Sequence, residues 1–369
     1  MISDTIAYSA PGRASIIGNP TDIYGGSVVS CALEQRAYAA IEPSDVTILE
    51  VCGVETTVSD WESTLAFQHD ELDVARAVLG FLFHTVHPQP LGIGNLWRKI
   101  DHERLLPRLV QEHFKLTAQT DIPRQAGLGG STAILAVIFA CFLERLNVSL
   151  NAYEMAEAIR WIEANVLGVS CGYQDHYMIV FGGLNYLDMR GKEMQRQDED
   201  EPFATVEPLH GVVRKLPCVV AHTGVARDSG SVHGSIRPRW LAGEEKVRKG
   251  YERISEIGRL GKKALVEEDW RRLGRLMNEN HAIQRELGGS GPSNEALIKL
   301  ALDAGALGAK LAGAGRGGTI IALHPDPAQL STVLLAAGAE TRLTLSPAQG
   351  LRSERVEPRK DLTLEEMSR

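Results

Sequence analysis

A glycine-rich segment, residues 127–133 (Gly-Leu-Gly-Gly-Ser-Thr-Ala), lies between a predicted strand and a predicted helix. The strand over residues 113–121 alternates and breaks at Pro123, and an apolar helix is predicted over residues 131–146. Consecutive backbone N–H groups at the start of a helix bind anions such as phosphate. The segment therefore predicts a phosphate site. The alternative is an ordinary helix start that Ser131 caps.

The common nucleotide-binding motifs do not account for this segment. No lysine follows the glycines, so the pattern of a P-loop is absent. Residues 313–318 match G-x-G-x-x-G, but they precede an apolar strand rather than a helix, which argues against a dinucleotide fold. We interpret residues 313–318 as a tight loop that brings backbone close to a ligand or to the first glycine turn.

Three carboxylates stand in positions that suit group transfer. Glu163 and Asp175 follow the glycine-rich segment, and Asp22 closes a turn that also holds Asn19. A glycine turn that holds phosphates, with separate carboxylates for a metal and a substrate hydroxyl, is typical of phosphoryl transferases. Asp22 and Asn19 either grip the hydroxyls of a sugar or simply close their turn, and the residues alone leave both interpretations open.

The order of predicted elements favours an α+β fold with two domains. The chain has 369 residues, and its strands and helices do not alternate strictly. The polar stretch 191–202 predicts a boundary, with one domain over residues 1–195 and the other over 205–355. Residues 153–167 are predicted to form a helix, and residues 178–187 are predicted to form strands around a Gly-Gly bend.

Composition excludes several classes of protein. The net charge is −8 and no basic patch is evident, so we expect no nucleic-acid partner. The longest apolar run, residues 133–143, is too short to cross a bilayer, so we expect no membrane association. Five widely spread cysteines without a C-x-x-C pair, and no signal peptide, predict reduced thiols in a cytoplasmic protein. We expect a monomer or a homodimer.

Three segments in order, residues 11–26, 123–133 and 310–318, resemble the three motifs of the GHMP small-molecule kinases. Gly130 and Thr132 stand where that family usually has serine and alanine. The stretches 17–26, 122–131, 172–175 with 181–183, and 228–241 are similar to glucuronokinase, and residues 163–175 are also similar to galactokinase. The resemblance implies a two-domain fold with the active site in the cleft between the domains.

The implied activity is that of an ATP-dependent sugar 1-kinase, which converts D-glucuronate to glucuronate 1-phosphate. The alternatives are a kinase of the same fold for galactose, arabinose, fucose or a heptose phosphate, and a non-catalytic sensor of sugar and nucleotide. The implied cofactors are ATP and Mg²⁺, and the implied partner is a small sugar or uronic acid.

The resemblance also implies roles for individual residues. Asp175 is the expected catalytic carboxylate, and Arg13 the cation beside it. Ser131 and Glu163 are the expected Mg²⁺ ligands. The residues expected around the ATP phosphates are Pro123, Gly127, Leu128, Gly129, Gly130, Ser131 and Thr132. Those expected at the substrate are Asn19, Asp22, Gly172 and Arg237, where Arg237 is chosen with Arg239 and Arg124 as candidates for a substrate carboxylate.

Overall fold

The computed structural model describes residues 5–83, 107, 109–192, 201–225, 236–313, 315 and 318–355. In this part of the chain the strands are β1 (Ile6–Ile17), β2 (Ser27–Pro43), β3 (Ile48–Val51), β4 (Val54–Thr57), β5 (Phe114–Thr120), β6 (Leu184–Asp188), β7 (Thr205–Pro208), β8 (Cys218–His222), β9 (Gly308–Leu311), β10 (Thr319–Leu323), β11 (Glu340–Leu343) and β12 (Arg352–Ser353). The helices are α1 (Trp61–Leu65), α2 (Asp73–Leu82), α3 (Gly130–Arg145), α4 (Ala152–Trp161), α5 (Gln174–Phe181), α6 (Glu245–Val266), α7 (Trp270–Glu286), α8 (Pro292–Asp303) and α9 (Pro327–Ala336). A 3₁₀ turn spans Asp22–Tyr24, and a π-helical turn, Ile162–Val166, continues α4.

The described strands form two sheets. One has eight strands, in the order β12-β1-β2-β5-β3-β4, with β6 paired to β2 and β7 paired to β6. Its neighbours are antiparallel except β3 and β5. The other has four antiparallel strands in the order β11-β8-β10-β9. The mixture of sheets and helices confirms the predicted α+β class.

Two strands of the eight-stranded sheet, β7 and β12, lie beyond residue 204 in the chain. The chain therefore returns to the first sheet after the polar stretch and again near its end. The domain ranges 1–195 and 205–355 stay a prediction.

Helix α3 forms the centre of the core. Every residue from Thr132 to Leu143 is buried, and the helix packs on β1 and β2. A helix that is apolar on all sides is stable only when protein surrounds it, which explains its continuous apolar sequence. This confirms the helix predicted over residues 131–146 and fixes the glycine turn that precedes it.

The described residues include no helix that could span a membrane. The five cysteines are free thiols, as predicted. The cytoplasmic location and the monomeric or dimeric state stay predictions.

The prediction of strands over residues 178–187 was partly wrong. Residues up to Phe181 belong to helix α5, and only Leu184–Asp188 form a strand, after Gly182 and Gly183. Most of α5 is buried, so its apolar residues show no helical period. In addition, Asp22 satisfies the first N–H groups of α5 from a distant part of the chain. Local sequence does not reveal such a partner.

Residues 11–26 connect the eight-stranded sheet to the part of the chain that carries the four-stranded sheet. The N–H of Ser15 in β1 donates to the carbonyl of Ala312 at 3.0 Å. The side chain of Asn280 accepts from the N–H of Gly18 at 2.9 Å and donates to the carbonyl of Asn19 at 3.1 Å. These bonds hold residues 11–26 against Ala312, which follows β9, and against Asn280 of α7.

Substitution of Gly274 in α7 tests the close contact between this helix and the start of β9. A Cβ there would stand 2.4 Å from the carbonyl oxygen of Leu307. Because backbone is in the way, we expect Gly274→Ala to lower the free energy of unfolding by about 1–3 kcal/mol, measured by urea denaturation.

Gly250→Ala in α6 is the matched control. Its Cβ meets only the side-chain ends of Leu287 and Ile283, at 3.1 and 3.2 Å, and these can rotate. Alanine also favours the helix by up to about 1 kcal/mol, so stability should hold or rise. Equal losses in both variants would contradict the close packing at Gly274.

Candidate active site

The described residues enclose a cleft between β1, the turn after it, the start of α3, the π-helical turn and the start of α5. Thirteen of the fourteen predicted site residues line this cleft. They are Arg13, Asn19, Asp22, Pro123, Gly127, Leu128, Gly129, Gly130, Ser131, Thr132, Glu163, Gly172 and Asp175. Arg237 does not line it. The structure thus brings together residues that are far apart in the chain.

Arg13 connects the glycine turn to Asp175. Its Nε donates to Oδ1 of Asp175 at 2.6 Å, and its Nη2 contacts the same oxygen. Its Nη1 donates to the carbonyl of Gly127 at 2.6 Å. The side chain of Arg13 is 8% exposed and that of Asp175 is 30% exposed. The carboxylate is therefore held on one side and open to the cleft on the other.

The pairing of β1 with β2 is irregular at Arg13. Between the pairs Pro11–Arg36 and Arg13–Ala32, β1 advances two residues and β2 advances four, so the extra residues lie in β2. An irregularity of this kind disturbs the regular alternation of side chains and is frequent beside active sites. The N–H of Arg13 donates to the carbonyl of Leu128 at 2.9 Å, which holds this part of β1 against the glycine turn.

The start of α3 has no side-chain cap. Gly129 is its N-cap residue, with φ of 77°, and no side chain accepts from the first N–H groups. The capping role considered for Ser131 is wrong, since that side chain is exposed in the cleft. The first N–H groups of a helix have no partner inside the helix. The start of α3 can therefore bind an anion in the cleft.

Asp22 and Gly172 form a close contact that positions α5. The Oδ2 atom of Asp22 accepts from the N–H groups of Tyr173 and Gln174 at 2.9 and 3.0 Å. A Cβ on residue 172 would stand 2.0 Å from that oxygen, so only glycine fits. Asp22 therefore fixes the helix turn that carries Asp175, in addition to lining the cleft.

Asn19 is engaged by the protein at both ends of its amide. Its Nδ2 donates to the carbonyl of Gly313 at 2.8 Å, and Nζ of Lys310 contacts its Oδ1. Burial, with a contribution from Arg13, lowers the pKa of Lys310 well below its ordinary value. Sequence reasoning missed this lysine. The available signal was a charged residue in the otherwise apolar strand β9.

Glu163 lies in a buried hydrogen-bonded network. The hydroxyl of Thr132 is 3.1 and 2.9 Å from its two carboxylate oxygens, and Nε2 of His176 is 2.7 Å from Oε2. Burial opposes charge on His176, but hydrogen bonds to Cys171 and Glu163 outweigh it and raise its pKa to about 10. Sequence reasoning missed Cys171 and His176, although both lie close to Asp175 in the chain.

Arg237 lies near Tyr24 and does not line the cleft. Its charge lowers the pKa of the Tyr24 hydroxyl, although burial and Asp22 raise that pKa more strongly. Tyr24 in turn packs on Trp240, with ring centres 4.5 Å apart. The Nε atom of Arg237 is buried and has no protein partner among the described residues. Most of the stretch 228–241, cited above for its resemblance to glucuronokinase, lies outside the described residues.

Three family models match the chain in the order of its glycine-rich segments. The galactokinase galactose-binding signature matches residues 3–43, the N-terminal domain of GHMP kinases matches residues 95–183, and their C-terminal domain matches residues 262–341. Together these matches cover more than half of the chain.

The chain belongs to the GHMP kinase family. The relatives of this GHMP kinase include the probable glucuronokinase 2 of Arabidopsis thaliana, 29% identical over 86% of this chain and 84% of the relative. They also include the mevalonate kinase of Pyrococcus abyssi, 27% identical over 95% of this chain and 98% of the relative. The crystal structure of Lactococcus lactis galactokinase with galactose superposes with a TM-score of 0.71, at 17% identity, over 96% of this chain and 95% of that one. These likenesses confirm the predicted two-domain GHMP kinase fold.

Asp22 should stabilise the protein through α5. We expect Asp22→Ala to lower the free energy of unfolding by about 2–4 kcal/mol, because the N–H groups of Tyr173 and Gln174 would be buried without a partner. Asp22→Asn keeps an acceptor oxygen and should lose less than half as much. Urea denaturation measures both.

Asp326→Ala is the control for a cap at the surface. The Asp326 carboxylate accepts from the N–H of Gln329 at the exposed start of α9. Loss of this cap should lower the free energy of unfolding by about 1 kcal/mol. If Asp22→Ala costs no more than Asp326→Ala, Asp22 does not hold α5 in place.

Proposed function

We propose that this GHMP kinase is an ATP-dependent sugar 1-kinase that converts D-glucuronate and ATP to glucuronate 1-phosphate and ADP. The observation that carries the proposal is the position of Asp175. This carboxylate, held by Arg13, faces the uncapped start of α3 in the same cleft. A proton acceptor and an anion site facing each other are what transfer of a phosphoryl group to a hydroxyl needs.

The ATP phosphates would lie on the glycine turn. The backbone N–H groups of residues 127–132 and the positive end of α3 attract them, and Pro123 and Leu128 line the same part of the cleft. A side chain at Gly129 would crowd this site. Its Cβ would stand 3.2 Å from Ile179 and 3.7 Å from Oδ2 of Asp175, and its φ is positive. Glycine therefore lets nucleotide and carboxylate approach each other.

Asp175 would orient the anomeric hydroxyl of the sugar and accept its proton. Arg13 occupies Oδ1, while Oδ2 lies toward Gly129. One oxygen thus remains for the hydroxyl. The positive guanidinium of Arg13 offsets the negative charge that develops on the transferred group.

Ser131 and Glu163 are the proposed ligands of Mg²⁺. Both line the cleft beside the glycine turn, and both offer the hard oxygen atoms that this ion prefers. The Thr132 hydroxyl and His176 hold the Glu163 carboxylate in one orientation. When bound, the ion neutralises charge on the phosphates during transfer.

A sugar substrate is supported by two findings. The galactose-binding signature covers residues 3–43, which include Asn19 and Asp22. A relative that aligns with most of the chain is named as a probable glucuronokinase. Asp22, Asn19 and Gly172 form the wall of the cleft beside Asp175, where the sugar would lie. Arg237 is our candidate for the uronate carboxylate, since its Nε is buried without a partner among the described residues and its charge acts on Tyr24, in the same turn as Asp22.

A galactose kinase is the second candidate, because the signature matched at residues 3–43 is that of galactokinases. A non-catalytic sensor is disfavoured. Binding alone requires neither a proton acceptor nor a cation placed beside it, yet the cleft contains both in Asp175 and Arg13.

Release of ADP over a panel of sugars tests the proposed reaction. We expect turnover with glucuronate and Mg²⁺ that exceeds turnover with galactose, arabinose, fucose or mevalonate. Asp175→Asn should lower kcat by about 10²–10⁴-fold, because the proton acceptor is lost. Asp303→Asn, on the exposed surface of α8, should keep full activity. If galactose is the only sugar that is phosphorylated, galactose replaces glucuronate as the substrate. If none of the sugars is phosphorylated, the proposal is contradicted.

Replacement of Arg237 tests the carboxylate site. Arg237→Met should raise KM for glucuronate about 10–100-fold, the value of a charge-assisted hydrogen bond, and leave KM for ATP unchanged. The control is Arg124→Met, since the Arg124 side chain is exposed and its guanidinium already pairs with Glu71. Equal KM values for glucuronate in Arg237→Met and the parent protein would exclude this role.

A further inference from the structure

Three side chains with different donor atoms meet at one wall of the cleft. They are the carboxylate of Glu163, the thiol of Cys171 and the imidazole of His176, and one donor atom from each lies within 4.8 Å of the others. Glu163 and His176 are buried, while Cys171 is partly exposed and lines the cleft. A metal ion in the cleft can therefore reach the cluster from the side of the thiol.

The donor set suits a zinc-type ion rather than Mg²⁺. Thiolate and imidazole select softer transition metals, whereas Mg²⁺ takes oxygen ligands. With bonds of about 2.0 Å to nitrogen and oxygen and about 2.3 Å to sulfur, tetrahedral ligands lie about 3.3–3.6 Å apart. Nε2 of His176 and Oε2 of Glu163 are 2.7 Å apart, and the thiol lies within 4.8 Å of both donor groups. The first separation would need to grow by about 0.6 Å, and those to the thiol would need to shrink by about 1.3 Å at most.

The surroundings support the cluster as a ligand set. The hydroxyl of Thr132 orients the carboxylate of Glu163, as an outer partner does in metal sites. Glu163 lies in the π-helical turn, a deviation that is frequent at functional sites. The second ring nitrogen of His176, Nδ1, is buried and has no protein partner among the described residues. A buried hydrogen-bonded pair of Glu163 and His176 alone would not require a thiol beside it.

We propose that Glu163, Cys171 and His176 bind one zinc-type transition-metal ion, and that this ion inhibits the kinase. The thiol releases its proton to the solvent when it binds the metal. Three protein ligands leave a fourth position open toward the cleft. The inhibitory part rests on the proposed function, because the ion takes Glu163 away from Mg²⁺. The binding part rests on the geometry alone.

Titration of the full chain with Co²⁺ as a spectroscopic substitute for Zn²⁺ tests the binding. We expect one equivalent of Co²⁺ to produce an intense thiolate-to-cobalt charge-transfer band, which Zn²⁺ abolishes. Cys171→Ser should remove the band and weaken Zn²⁺ binding at least about tenfold. Cys52→Ser, a half-buried cysteine outside the cleft, should keep both.

Unchanged Zn²⁺ affinity and an unchanged band in Cys171→Ser would overturn the site. X-ray absorption of the zinc-loaded parent protein gives a second measurement that needs no variant, and it should show one sulfur at about 2.3 Å. A first shell of oxygen and nitrogen alone would also overturn the site.

Activity with Zn²⁺ tests the inhibition. In the presence of excess Mg²⁺, Zn²⁺ should slow ADP release, and this effect should weaken at least about tenfold in Cys171→Ser. Zinc that binds with sulfur ligation but does not slow the reaction would overturn the inhibitory role. A protein that shows the cobalt band but phosphorylates no sugar would contradict the proposed function and support the metal site.

Discussion

The contact of one guanidinium with a carboxylate and a carbonyl organises the cleft. Arg13 comes from β1, where its pairing with β2 is irregular, Gly127 from the turn before α3, and Asp175 from the first turn of α5. Since the Arg13 side chain is 8% exposed, its guanidinium has lost most of its hydration, and these partners replace it. The same cation thus connects the anion site to the carboxylate.

A second set of contacts holds the two sheets together near this point. Asn19 bonds to Gly313 and Lys310, and Asn280 bonds to Gly18. Lys310 is fully buried, so its charged form is disfavoured and its pKa is depressed. A buried amine of this kind is tolerated because its Nζ is bonded to Asn19 and to a backbone carbonyl. The polar atoms that join the sheets are therefore matched to each other and lie away from water.

The sequence was sufficient for features that depend on local pattern. The apolar run after the glycine turn predicted α3, and ordered glycine-rich segments predicted the family and the residues that line the cleft. It failed where a partner comes from far along the chain. Residues 178–181, the second half of helix α5, were predicted as strand, because the partner of its N-terminus, Asp22, belongs to another segment. The contact of His176 with Glu163 depends on how α5 packs against the π-helical turn, and no spacing in the sequence encodes that distance.

The π-helical turn has a consequence for how the chain can vary. One extra residue in a helical turn rotates everything after it by about 100° relative to a regular α-helix, which has 3.6 residues per turn. In Ile162–Val166 the turn carries Glu163 and leads into the segment that ends at Asp175. A deletion of one residue between Glu163 and Val166 would restore ordinary helix geometry and rotate the segment that leads to Asp175 relative to Glu163. Homologous chains should therefore tolerate substitution in this turn far better than a change in its length.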